Sequence, residues 1–189
     1  MNATMQNTTE VNGIDVQYLR ESIEAMSQDP KLAMTRWNVT TRWMGGTRSD
    51  TDVKSYEIGG RLVEKDFRIR IDEPLELAGT NQYANPQEVL MAALNACMMV
   101  GYAALCAMEG ITLEEARIET EGEIDLRGFL GIDPNVAPGY EQLSYRVFLK
   151  GDGTPEQFAR VHEMVKMTSP NRHNIATAIM LNSQLVVEQ

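Results

Sequence analysis

The chain has 189 residues, 43% of them hydrophobic and 23% charged, enough to bury one packed core and too apolar for overall disorder. Its formal net charge of −10 excludes a general nucleic-acid binder and a polybasic membrane anchor, both of which need clustered Lys and Arg. The acidity reads as a solubility feature. Two histidines, His162 and His173, are too few and too isolated to suggest a metal site, and no cofactor is expected.

The first dozen residues are polar and lack the basic and apolar regions of a secretory signal. With only two cysteines, this predicts free thiols in a reducing compartment, the cytoplasm. The positions Ile14, Tyr18, Leu19, Ile23 and Met26 then suggest an amphipathic helix from about 13 to 26. Residues 1–32 read as an N-terminal arm and helix, and 33–189 as a single α+β domain.

"TRWNVTTRW" alternates, with Trp37, Val39, Thr41 and Trp43 on one face, and predicts one half-buried strand. "GGTRSDTD" follows as a loop, and "VKSYEI" and "KDFRIRI" as further strands. A long connection ends at Asn85-Pro86, an N-cap followed by a proline suited to a first helical turn. The helix it opens should stop near Gly110. Two more alternating runs, 118–126 and 143–149, flank a Gly- and Pro-rich loop. "TPEQ" carries a capping box, with Thr154 as cap and Gln157 closing it. That helix must end before Pro170, and a last strand is expected near 184–187. The order of strands and helices is not a strict alternation, so the expected class is α+β with mainly antiparallel sheet.

The helix after Pro86 has no charge from Val89 to Met108, a length that could span a bilayer. Its Ala- and Met-rich composition, its acidic flanks at Glu88 and Glu109, and the amphipathic strands around it favour a core helix covered on nearly every side. The methionines read as core filling. Ala92, Ala96, Ala103 and Ala107 form a narrow stripe that would let another helix approach closely, and a second copy of the chain would supply one. Both cysteines lie on this helix. Cys97 and Cys106 are about 180° apart around it and roughly 13 Å apart along it, too far for a disulfide. By spacing alone each is a small core residue before it is a nucleophile.

"NPQEVLMAALNACMM" resembles the first cysteine motif of the OsmC/Ohr family (osmotically inducible protein C and organic hydroperoxide resistance proteins). "IDLRGFLGIDPNVAPGYEQLSYRVFLKGD" is similar to the strand–loop–strand that follows in OsmC-like members. "MVKMTSPNRHNIA" resembles the second motif, where a Cys-Pro usually follows a helix. The resemblance runs from about Ala33 to the C-terminus. It implies an intertwined homodimer with antiparallel sheets around paired central helices and two active sites at the interface. It further implies that a cysteine attacks an organic hydroperoxide, that a second cysteine captures the sulfenic acid, and that a dithiol reduces the disulfide. An arginine and a glutamate assist the first cysteine.

Carried onto this chain, the resemblance makes Cys97 the peroxidatic cysteine and Arg48, in "GGTR", its arginine, with Arg42 as the alternative. The glutamate position is Gln87, with Glu88 beside it. The resolving position, before Pro170, is Ser169. Arg172 and His173 lie close enough in sequence to line the same site. A hydroxyl cannot capture a sulfenic acid as a disulfide, which leaves a one-cysteine cycle resolved by an external thiol or redoxin; Cys106 of a second copy is the more remote resolver. Two functions follow. The first is a peroxidase for small organic hydroperoxides, active in peroxide stress. The second is a non-catalytic dimer that binds an apolar or acyl molecule in its interface pocket.

Overall fold

The computed structural model describes residues 10–188. They form an α+β protein whose strand pairings are all antiparallel, in agreement with the class expected. The chain divides into two compact units, 1–92 and 93–189, with the boundary inside the central helix rather than in a linker. The polar first dozen residues lie largely outside the described residues.

In the first unit, β1 (Glu10–Val11) and β2 (Ile14–Asp15) form a two-stranded pair through a turn at Asn12-Gly13. Asp15 caps α1 (Val16–Gln28) by accepting the Tyr18 N–H at 2.9 Å. The expected single strand at 35–43 is two, β3 (Thr35–Trp37) and β4 (Thr40–Trp43). Both lie on one edge of β5 (Ser49–Ile58), and β6 (Arg61–Ile71) occupies the other. The register with β5 shifts by one residue across the break. Residues 53–55 of β5 lie opposite only residues 38 and 39 of the edge, so Trp37 pairs with Tyr56 while Thr40 pairs with Asp52. The face is also not half-buried as expected: Trp37, Val39 and Trp43 are all well exposed.

Asp72 organises the connection after β6. It is fully buried, and its carboxylate accepts from Thr47 Oγ1, from the Thr80 N–H and hydroxyl, and from the Gln82 N–H. These bonds hold the Asp72 carboxyl far below the usual range, Thr80 contributing most. The same carboxylate therefore pins the β4–β5 turn and the loop leading to the central helix.

That helix, α2 (Pro86–Met108), begins as expected. Asn85 Oδ1 accepts the Glu88 N–H at 2.8 Å, and Glu88 Oε2 accepts the Asn85 N–H at 2.7 Å. It also ends as expected. Gly110 takes φ +74°, its N–H donates to Ala107, and the next N–H, of Ile111, donates to Cys106. This is a Schellman arrangement with the apolar Ile111 buried behind it. By length and composition α2 could cross a membrane. It is not covered on nearly every side: Val100 is 69% exposed, and Ala92 and Ala96 of the alanine stripe are exposed as well.

In the second unit the covered face of α2 is a single stripe, Leu94, Met98, Tyr102 and Cys106, at i, i+4 spacing. It packs with Val161 and Val165 of α4 (Pro155–Thr168) and with inward residues of the hairpin β7 (Leu113–Gly122) and β8 (Leu143–Gly151). One helix and one hairpin can cover only one side, which is why the others stay open. The close approach of the two helices is at Gly101, where an added Cβ would sit 3.1 Å from a Val165 methyl. The capping box at Thr154 and Gln157 is present. The loop between the strands contains a short helix, α3 (Leu126–Phe129), capped by Asp125. Residues 177–188 carry no secondary structure, so the strand expected at 184–187 does not form. An isolated strand has no partners for its backbone groups, and Leu185, Val186 and Val187 stay exposed.

Candidate functional site

Pro170 sets the local geometry at the end of α4. Its ring disfavours helical backbone at the preceding residue, and Ser169 is extended, at φ −73° and ψ 115°. The chain then re-enters a helix at once, α5 (Pro170–Ala176). Ser169 is thus the C-cap of one helix and the N-cap of the next. Its N–H donates to the Val165 carbonyl and its carbonyl accepts the His173 N–H, both at 3.0 Å. Only 5% of Ser169 is exposed.

This corner turns the Ser169 hydroxyl onto Cys97. The hydroxyl donates to Cys97 Sγ at 3.3 Å and accepts the Arg172 N–H at 3.4 Å. Cys97 itself is half-buried. The Arg172 guanidinium ties the corner down, donating from Nε to the Tyr145 hydroxyl at 3.0 Å and from Nη1 to the Lys166 carbonyl at 2.9 Å. Asn171 Nδ2 reaches the Ala93 carbonyl of α2 at 2.8 Å, a second tether between α5 and the cysteine-bearing helix.

Farther along the buried stripe, the Tyr102 hydroxyl meets His162 Nδ1 at 2.6 Å. Tyr102 is fully buried. Desolvation is the main cause that pushes its phenol well above the ordinary range, with Tyr145 adding to it. Cys106 is fully buried too, and its thiol is pushed up by desolvation first and by Glu109 second. Such a thiol is poor in thiolate and inert. Both cysteines are free.

The structure therefore brings together three of the residues singled out in the sequence: Cys97, Ser169 and Arg172. His173 is exposed and offers only its backbone to the corner. Arg48, Gln87 and Glu88 belong to the first unit, and the hydrogen bonds of Arg48 and Glu88 are local. The Arg48 guanidinium reaches the Gly45 and Met44 carbonyls at 3.5 Å, within its own turn. Glu88 caps α2 beside an exposed Gln87. Arg42 is paired with Asp52. Sequence reasoning missed Tyr145, Tyr102 and His162. The spacing of Tyr102, one turn after Met98 on the buried stripe, was a signal for the first buried hydroxyl. Among the described residues no group of three or more His, Cys, Asp or Glu could hold a metal.

The model of the family described as OsmC-like protein matches residues 79–183, more than half of the chain and all of the Cys97–Ser169 corner. The chain belongs to the OsmC-like family. A relative, the uncharacterized protein YmaD of Bacillus subtilis (strain 168), is 28% identical over 162 residues, covering 83% of this chain and 95% of that protein. Among solved structures, an OsmC-like protein from Mycoplasma pneumoniae superposes with a TM-score of 0.56 at 13% identity, over 76% of this chain and 89% of that one. An OsmC-like protein of unknown function from Vibrio cholerae gives 0.50 at 15% identity, over 76% and 96%. At these identities the two structures establish a shared fold. In this OsmC-like chain the residue before Pro170 is Ser169, and its hydroxyl faces Cys97.

Proposed function

We propose that this OsmC-like protein reduces small organic hydroperoxides with Cys97 as its single peroxidatic cysteine, and that an external thiol or redoxin closes the cycle. The observation that carries the reading is the half-buried Cys97 sulfur held against the Ser169 hydroxyl, inside the segment that matches the family. Cys106, the other thiol, is sealed in the core and has no route to a substrate. With serine at the second motif, no disulfide can form within this corner, so the resolving thiol comes from outside. Arg48 is the candidate activator, brought to Cys97 by assembly into a homodimer, and a reducing cytoplasm would supply the thiol. The apolar-ligand alternative gains less support. The cavity of about 960 Å³ in the second unit has Glu121, Glu123, Asp125 and Glu141 among its lining residues and suits an acyl chain poorly, so such a ligand would need a pocket built at the interface with a second copy.

The test is consumption of cumene hydroperoxide by reduced protein, with and without excess dithiol, beside Cys97→Ser and Cys106→Ala. The expected result is turnover that needs the thiol, disappears in Cys97→Ser and survives in Cys106→Ala. Absence of consumption by protein with Cys97 reduced and intact would overturn the reading.

A further inference from the structure

Ser169 occupies the place of a resolving thiol but cannot form a disulfide, so its burial against Cys97 needs another explanation. A hydroxyl has one proton to give. The Arg172 N–H already uses a lone pair of Ser169 Oγ, and the Cys97 sulfur is the acceptor for the proton, at 3.3 Å. The side chain is held from both directions by the backbone. Its N–H closes α4, its carbonyl serves α5, and Pro170 keeps it extended. With 5% of the residue exposed, water competes little for the hydroxyl.

We infer that Ser169 is a positioning residue for Cys97: its hydroxyl is a standing hydrogen-bond donor that holds and aims the reacting sulfur. The inference rests on the peroxidatic role proposed above. A hydroxyl donates more strongly to a charged acceptor than to a neutral one, so the contact is worth most to the sulfur in its attacking form. The thiolate sulfur then attacks the outer oxygen of R–O–OH. The O–O bond breaks, the sulfur gives up two electrons, and the alkoxide takes a proton to leave as R–OH. Cys97 becomes a sulfenic acid. An external thiol attacks that sulfur, water leaves, and a mixed disulfide forms; a second thiol releases Cys97 and departs as the external disulfide. Ser169 forms no covalent bond in any step and can donate to the sulfur throughout. Arg172 supports it by holding α5 to Tyr145 and to the end of α4.

The experiment compares Ser169→Ala, Ser169→Thr and Ser169→Val by the rate at which iodoacetamide alkylates Cys97 in folded, reduced protein at pH 7. Thr and Val have the same shape and differ in the hydroxyl. The expected result is a loss on the order of tenfold in Ala and Val, the worth of a hydrogen bond to a charged group, with Thr close to the parent. Equal rates in Thr and Val would overturn the inference, as would an unchanged rate in Ala. Thermal melts identify any variant that fails to fold, and the Thr–Val pair keeps the comparison open if Ala does not. Alkylation needs no peroxide, so it separates the two readings. A rate that responds to the hydroxyl in a protein without turnover would sink the peroxidase reading alone, whereas turnover with a rate indifferent to the hydroxyl would sink this one.

Discussion

The two thiols of this chain are distinguished by what touches them. Cys106 sits among Met98, Ile111 and Val161 in the core, where a thiolate would lose its hydration without a compensating charge. Cys97 has a hydroxyl partner and a partly open side. Brief alkylation at neutral pH should therefore label Cys97 first, with Cys106 reacting only after denaturation; peptide mapping by mass spectrometry checks the order. Asp72 yields a second prediction at this scale. Its carboxyl is depressed in the folded chain by the donors around it, so the stability it contributes is present above the ordinary Asp range near pH 3.9 and is lost as pH falls through the lower folded value. Asp72→Asn should lower the urea midpoint at pH 7 and flatten the fall in midpoint below pH 4; equal slopes in the two proteins would rule the account out. Nothing near Asp72 in the sequence advertises this, because its donors come from residues 47, 80 and 82 and meet only when the turn and loop fold together.

Among the elements, those set by a few neighbouring residues were the legible ones. Asn85-Pro86 and Thr154–Gln157 start their helices through short-range hydrogen bonds, and Gly110 ends α2 by accepting a positive φ, so each can be read directly. Asn85→Ala should cost about 1 kcal/mol, the usual loss of a cap, seen in a denaturant melt. The split of the 35–43 strand was hidden because the register offset that accompanies it is set against the neighbouring strand β5, far from it in sequence. The 184–187 strand failed for a related reason: alternation describes a face, but a strand also needs an edge to pair with. Gly101 is a further case. In the sequence it interrupts an apolar run without evident purpose, while in the fold it is where α4 meets α2. Gly101→Val would push a branched side chain into Val165 and should destabilise by about 1–3 kcal/mol, the cost of overpacking, even though valine is the better helix former.

At the scale of the molecule, what the single chain leaves uncovered bears on how it works. Val100 on α2 is 69% exposed, and Trp37, Trp43 and Phe67 stand open on the sheet of the first unit. Large apolar side chains in such numbers are the mark of surfaces that meet a partner. The family resemblance in the sequence pointed to a homodimer, and a second copy is the occupant we propose for these faces. Burying one such side chain contributes about 1.5–3 kcal/mol, so several of them could hold two chains together against the cost of association. Sedimentation equilibrium should then return twice the chain mass at micromolar concentration, and Val100→Glu, which puts a charge on the open face of α2, should shift the mass towards one chain. The coupling to chemistry supplies the sharper outcome. Among the described residues the Arg48 guanidinium's hydrogen bonds are to its own turn, so if assembly brings it to Cys97, Val100→Glu should both dissociate the dimer and slow peroxide consumption, and Arg48→Ala should slow it without dissociation. A parent protein that sediments as a single chain and still turns over would remove both the dimer and Arg48 from the mechanism, leaving the Cys97–Ser169 corner to act alone.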